Sequence, residues 1–479
     1  MFTKINRVLT HAARLTPATN SILPVETPAV KAASSPFKVV YLGTGAAGMY
    51  CGSCLHDNAL VAALRRLGHD VVLVPLYTPL RTDEPNQSLP CVFFGGINVY
   101  LQQVLPLFRY TPRWLDRLLD SGPVMRLLAR RRAAVDARGL GPLTISMLQG
   151  EEGNQRKELQ RLLQWLEHEG PPQLIHLSNA LLLGLAPALK HHLGVPVVCN
   201  LSGEDIFLDA LEPSHREQAW ELVARHARHV DRFVALNRYY AQAMSRRLEL
   251  AEDQVEVIPH GLNLEGVSRR QWPSQRKQLT VGFLARVCPE KGLHLAAQAV
   301  REYNAAAPEL PAVLHCAGYL SSGDRRYLRQ IEREFAAAGQ AERFRYFGEP
   351  DRQEKFRLLA SWDMFCLPTV YQESKGLSAL EALACGVPLV VPRHGVFPEL
   401  IEHTGGGWLF EPGEVEQIVD LFRQVAAAPE QLPRCGEQGR RVICQHYTDH
   451  LMAQRTAELY HRLCRPGDRF PAAHAKECP

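Results

Sequence analysis

Several features are scarce in this 479-residue chain, and each scarcity removes a class of protein. No apolar run approaches the roughly 18–20 residues that a membrane-spanning helix needs, which argues against an integral membrane protein. Charge of one sign is lacking too, since 54 basic residues stand against 50 acidic ones for a formal excess of +4. Nucleic-acid binders usually carry a stronger basic bias, so no nucleic-acid partner is expected. Residues 1–36 hold a single acid, Glu26, and no sustained apolar stretch, so they do not read as a secretory signal. They read as a disordered extension outside the fold, with an organellar transit peptide as the alternative. The pattern Asp-x-Asp does not occur, which removes one carboxylate pair that could hold a divalent metal.

Cysteine is not scarce, at 12 residues, but its arrangement is uninformative as a disulfide framework. Cys199, Cys316, Cys366 and Cys385 fall inside strand and helix patterns, as small apolar residues do, and a reducing cytoplasm is the simplest setting. Cys51 and Cys54 form a C-x-x-C. His56 is close, but no second Cys/His pair at zinc-ligand spacing stands nearby, so the motif supplies half a structural zinc site. It is read as two reduced thiols in a tight loop.

A chain of this length divides into two or three domains, and 46% hydrophobic with 22% charged residues is ordinary for a globular protein. Its most informative stretch runs from Asp363 to Pro392. The apolar runs 363–368 and 389–392 read as buried strands, and Leu377 to Ala384 are good helix formers that stop at Gly386 before Pro388. Ser374, Lys375 and Gly376 therefore form a loop at a helix N-terminus, where free N–H groups and the positive dipole end bind phosphate. Glu381 lies five residues beyond Gly376, roughly 7–8 Å along the axis, about the distance from a diphosphate to its ribose. A carboxylate accepts two hydrogen bonds and could grip both ribose hydroxyls. Glu373, on the other side of the phosphate site, would face a sugar attached beyond the diphosphate.

Earlier in the chain, Gly43-Thr-Gly45-Ala-Ala-Gly48 follows the strand 37–42 and is a literal G-x-G-x-x-G. Its context does not support a dinucleotide site. The helix is expected only from about Cys54, and the next strand, 71–77, ends without an acidic residue for a ribose. Arg286 and Lys291, five apart after an apolar strand and followed by Gly292, suit a diphosphate leaving group, one as a fork and the other as a point charge.

The pattern Glu373, seven residues, Glu381, then Ala-Cys-Gly-Val-Pro resembles the donor-sugar signature of the retaining family-4 glycosyltransferases, the glycosyl transferases of group 1. The resemblance extends from about Phe37 to Cys464 and is weakest across 78–170. It implies the α/β GT-B fold: two Rossmann-like doubly wound domains facing a central cleft, with a C-terminal helix crossing back to the first. The domains would be 37–265, joined by the crossing helix 447–466, and 278–446, followed by a flexible tail 467–479. It implies that Glu373 contacts donor-sugar hydroxyls, that Glu381 holds the ribose, and that Ser374, Lys375, Gly376 and Leu377 bind the donor. Arg286 and Lys291 would neutralise the leaving diphosphate, and Gly52 would bring a backbone N–H to it, although Cys51 replaces one family glycine. A family histidine near the sugar is absent where the chain reads Ser202-Gly203-Glu204-Asp205, leaving Ser202, Glu204 and Asp205 as acceptor-side candidates.

The expected function is transfer of a hexose-like sugar from a nucleotide-diphosphate donor to an acceptor of unread identity, as in polysaccharide or glycolipid biosynthesis. The nucleotide-diphosphate sugar is a co-substrate, with no cofactor and no metal implied. Two other classes stay open: a GT-B phosphorylase or nucleotide-sugar epimerase, and a non-catalytic nucleotide-sugar-binding protein. Residues 105–138 are arginine-rich with Trp114, Leu115, Leu118 and Leu119 at helical spacings. Such a segment packs on its own domain as a helical insert or lies on anionic lipid, which would make a cytoplasmic protein peripheral to the inner face of a membrane.

Overall fold

The computed structural model describes residues 36–45, 50–90, 92–94 and 140–464. The extension 1–35, the arginine-rich segment 105–138, the tail 467–479 and Gly48 of the glycine-rich run lie outside the described residues.

Twelve strands form two six-stranded parallel sheets. The first takes β1 (Lys38–Gly43), β2 (Asp70–Pro75), β3 (Leu174–Leu177), β4 (Val197–Leu201), β5 (Arg232–Ala235) and β6 (Val255–Val257), ordered β2-β1-β3-β4-β5-β6. The second takes β7 (Leu279–Leu284), β8 (Ala312–Ala317), β9 (Phe344–Tyr346), β10 (Met364–Cys366), β11 (Leu389–Pro392) and β12 (Gly407–Phe410), ordered β12-β11-β10-β7-β8-β9. Parallel strands need crossovers, which are largely helical here and cover both faces of each sheet, so the central strands are buried along their whole length. β3, β4, β7 and β10 are buried at every position.

In each sheet the chain winds one way and then reverses. The reversal lies between β1 and β3 in the first lobe and between β10 and β7 in the second. Such a switch point opens a crevice at the carboxyl ends of its two strands, because the following crossovers leave to opposite faces. In the second lobe that places the loop after β7, with Arg286 and Lys291, beside the loop after β10, with Glu373.

The helix Asp449–Cys464 returns to the first lobe, where Met452, Ala453, Ala457, Leu459 and Tyr460 join Val39, Tyr41, Leu60 and Leu64 in one apolar cluster. The other face of that sheet has its own core around Ile175, Leu177, Val197 and Phe233. A buried polar chain runs through the first: Tyr41 donates to Asp57 at 2.6 Å, Asn200 donates to Tyr41 at 2.8 Å, and His176 bonds Asn200 at 2.8 Å and Tyr460 at 2.6 Å. Among the described residues, no helix is long and apolar enough to cross a membrane.

One expectation is corrected at the glycine-rich run. The following helix is Gly52–Arg66, two residues earlier than expected, with Cys51 as its N-cap. The C-x-x-C therefore straddles a helix start and is not a free loop. Between β3 and β4 lie a 3-10 segment Ala180–Leu185 and a helix Ala186–Leu193, with Pro187 in the first turn of the latter.

Candidate functional site

The helix Leu377–Ala384 begins at Gly376, whose φ of 66° is the left-handed region that glycine reaches without strain. Its first-turn N–H groups have no intrahelical partner, and no N-cap side chain covers them. The preceding turn is held by Val396 N–H donating to the Glu373 carbonyl at 2.8 Å. Gly395 is obligatory there, because a Cβ would lie 2.4 Å from that same oxygen.

Glu373 is buried, and both of its oxygens accept hydrogen bonds. Lys291 donates to its Oε2 at 2.6 Å, Tyr371 donates to the same oxygen at 2.8 Å, and the Lys375 N–H donates to Oε1 at 3.2 Å. Burial alone would raise this carboxyl, but the Lys291 ammonium and the Tyr371 hydroxyl outweigh it and bring the pKa down to about 2. Lys291 ends a short turn after β7 and also bonds Tyr371. The next residue, Gly292, passes so close to Pro368 that an added Cβ would meet its carbonyl oxygen at 1.8 Å, which brings the loops after β7 and β10 together. Arg286, on the same loop, donates to Cys288 Sγ at 3.3 Å.

Glu381 lies on the buried face of the helix, where its Oε1 accepts from Lys355 at 2.6 Å. Lys355 also meets Asp83 of the first lobe at 2.5 Å. Burial raises the Glu381 carboxyl, opposed by Lys355. Burial works against the charge of Lys355, but Glu381 and Asp83 raise its pKa overall. The ammonium is thus shared between two carboxylates from different lobes.

Lys375 reaches across into the first lobe. Its Cδ lies 3.3 Å from where a Cβ on Gly52 would stand, and its Nζ lies 3.2 Å from a Cβ built on Gly203. Gly203 has φ of 85°, and that Cβ would also lie 2.5 Å from Ser374 Oγ, so only glycine allows this approach. Ser53 and Ser202 hydroxyls are 3.3 Å apart, and Asn237 donates to the Ser374 carbonyl at 2.6 Å. Glu204 accepts from the Ser202 N–H at 2.7 Å and the Ala180 N–H at 3.3 Å, and burial lifts its pKa to about 7. Asp205 accepts from Tyr240 at 2.7 Å.

The residues expected from sequence thus fall into three neighbouring groups. Arg286, Lys291 and Glu373 gather at the switch point of the second sheet. Glu381 stands farther along the helix. Gly52 faces Lys375 from the other lobe, Ser202, Glu204 and Asp205 flank Gly203, which meets Ser374 and Lys375, and Leu377 opens the helix beyond them. Lys355, Asp83, Tyr371 and Asn237 were missed. For Lys355 a signal existed: it shares the buried side of the helix Arg352–Ser361 with Phe356 and Leu359, a position where an unpaired lysine would be costly.

Comparison with known proteins agrees with this architecture. The model of the glycosyl transferases group 1 matches residues 266–442, and that of a glycosyl transferase 4-like domain matches 58–261. A mannosyltransferase of Mycolicibacterium hassiacum, the MMP alpha-(1->4)-mannosyltransferase, is 32% identical over 111 residues, 23% of this chain and 27% of its own. The phosphatidyl-myo-inositol mannosyltransferase of Mycobacterium leprae is 26% identical over 232 residues, 47% of this chain and 58% of its own. The chain thus spans less than two thirds of the length of these relatives. Among solved structures, Anabaena HepE in complex with UDP and glucose superposes with a TM-score of 0.61 at 17% identity, covering 89% of this chain and 99% of that one. Sucrose-phosphate synthase from Thermosynechococcus elongatus gives 0.65 at 17% identity, covering 89% and 98%. With two doubly wound lobes and GT-B neighbours over nearly nine tenths of its length, the chain has the GT-B fold, and it carries a glycosyl transferase 4-like domain at 58–261 followed by a domain of the glycosyl transferases group 1 at 266–442.

Proposed function

We propose that the chain transfers a sugar from a nucleotide-diphosphate donor to an acceptor hydroxyl, with retention and without a metal. The observation that carries this reading is Lys291, held by Glu373 and Tyr371 at the switch point, beside the N-terminus of the helix that bears Glu381. Departure of the diphosphate develops negative charge. Arg286, Lys291 and the N–H groups after Gly376 supply preorganised positive charge for it, which is the argument for metal independence. In this reading Glu381 takes the ribose hydroxyls once the donor shares or displaces Lys355, and Glu373 takes hydroxyls of the sugar. Ser374, Lys375 and Gly52 line the diphosphate from the two sides of the cleft. Closure of the lobes excludes water, without which hydrolysis competes with transfer. Front-side attack, with no enzyme nucleophile, follows from the family resemblance. HepE, whose structures hold UDP, glucose or UDP-glucose, supports a nucleotide-sugar donor.

The acceptor candidates Ser202, Glu204 and Asp205 are largely occupied by internal hydrogen bonds. That favours, as a second reading, a protein that binds the donor without turnover. A cytoplasmic, membrane-peripheral setting is part of the proposal.

Isothermal titration with a panel of nucleotide diphosphates and their sugar conjugates tests the donor site, beside Glu381→Ala and Arg286→Ala. One nucleotide is expected to bind at micromolar strength, and each substitution to weaken it by about 1.5–3 kcal/mol, the range for hydrogen bonds to charged groups. No binding, or equal binding by both variants, would sink the assignment. Binding without turnover in any acceptor mixture would favour the second reading.

A further inference from the structure

The transfer proposed above makes no use of the C-x-x-C, yet the pair sits where thiol chemistry is favoured. Cys51 is the N-cap of the helix Gly52–Arg66, and the Leu55 N–H closes the first turn on its carbonyl at 3.0 Å. Cys54 lies three residues on, in that first turn. Helical geometry puts Cα atoms three residues apart at about 5 Å, inside the range that a disulfide bridges without backbone movement. The two thiols differ in access: Cys51 is half-buried, whereas Cys54 is 1% exposed. They differ in charge environment too. The Cys54 thiol donates to the Cys51 sulfur, and Lys375 lies nearby; together these hold Cys51 well below the usual thiol range despite its burial. The hydrogen bond to Cys51, burial and the nearby Asp57 carboxylate keep Cys54 protonated. Among the described residues, no group of three or more His, Cys, Asp or Glu could hold a metal.

We propose that Cys51 and Cys54 are an exchange-active dithiol, with Cys51 as the attacking sulfur and Cys54 as the resolving one, whose partner is a low-molecular-mass disulfide. Cys51 thiolate attacks one sulfur of the disulfide RSSR, forming a mixed disulfide and expelling RS⁻. Cys54 then attacks the Cys51 sulfur, closing the internal disulfide and expelling a second RS⁻. The two protons of the original thiols end on two RSH. The dithiol loses two electrons and RSSR gains them, so the step balances and runs backwards in excess thiol. This spacing at a helix N-terminus is the one dithiol oxidoreductases use. The assignment stands on the geometry of the pair and does not depend on the transferase reading.

The test uses the full chain, reduced and then equilibrated in glutathione buffers of graded thiol-to-disulfide ratio, followed by acid quench, alkylation and tryptic mass mapping. The tryptic peptide 39–65 contains Cys51 and Cys54 and no other cysteine, so it reports on this pair alone. The expected result is one two-electron transition, in which the peptide loses two hydrogens and both alkylation sites and regains them in dithiothreitol. In Cys54→Ser, a single glutathionyl group should accumulate on Cys51, and in Cys51→Ser, Cys54 should stay unmodified. Two free thiols at every ratio would overturn the proposal. So would glutathionyl groups on both cysteines without an internal disulfide. The wild-type titration needs no variant to fold.

Discussion

At the scale of single residues, this site is governed by where charge is buried. Lys355 is the clearest case, an ammonium in a nearly dry position that is tolerable because Asp83 and Glu381 flank it. Replacing it by methionine keeps the volume and leaves two buried carboxylates facing each other. Breaking a buried pair from one side costs about 3–5 kcal/mol, and Lys355→Met is expected to lower stability to urea by that amount at neutral pH. Part of the loss should return as pH falls and the Glu381 carboxyl, raised by burial, takes up a proton, and a loss independent of pH would count against the shared-ammonium account. Glu204 carries the opposite sign. Its folded pKa of about 7 lies above the ordinary 4.5, so the folded chain binds the extra proton. Its stabilising contribution is full below pH 4.5 and is lost as pH rises through 7. Relative to Glu204→Gln, the parent should therefore lose stability between those values, by up to about 3 kcal/mol. Parallel curves for the two proteins would show that Glu204 titrates normally.

At the scale of elements, much was legible because glycine and apolar runs punctuate the chain. The helix expected between Gly376 and Gly386 is Leu377–Ala384, and both flanking glycines have positive φ, 66° and 81°. The strands around it followed from apolar runs of the right length, whereas the return of the last helix came only from the family resemblance. The misplaced start of the first helix has a physical reason: Cys51 caps it with extended backbone and no side-chain hydrogen bond, so no Ser, Thr, Asp or Asn marked the position. The loop after β10 depends on Gly376 in a way that can be measured. A Cβ there would stand 3.1 Å from Val396 Cγ1 in a left-handed conformation. Gly376→Ala should cost about 1–2 kcal/mol in urea unfolding and weaken nucleotide binding by tilting the first-turn N–H groups. A variant as stable as the parent would mean that the turn relaxes freely.

At the scale of the whole molecule, the sequence was silent on what joins the lobes, because ion pairs across a cleft leave no periodic trace. Arg81 meets Glu349 at 3.2 Å, Arg352 meets Glu84 at 3.0 Å and Lys355 meets Asp83 at 2.5 Å. Residues 81–84 of the first lobe thus grip 349–355 of the second. On the other side of the cleft, the N–H groups of Arg238 and Tyr239 donate to Glu399 at 3.1 and 3.0 Å. Lys355 and Glu381 both belong to the second lobe, so opening the grip breaks Lys355–Asp83 and leaves the ammonium wholly on Glu381. The partly exposed pairs Arg81–Glu349 and Arg352–Glu84 are worth up to about 1 kcal/mol each and are screened as the Debye length shrinks from about 10 Å at 0.1 M salt to 3 Å at 1 M, whereas the nearly dry Lys355–Asp83 pair is screened little. The radius of gyration from X-ray scattering should therefore rise between 0.05 and 1 M sodium chloride, an expected response of the grip to about that range of screening. The double variant Arg81→Ser, Arg352→Ser should show the expanded value already at low salt. Identical scattering for parent and variant at every salt would mean that the lobes are held by the apolar contacts and hydrogen bonds alone, and that Lys355 guards Glu381 without any part in closure.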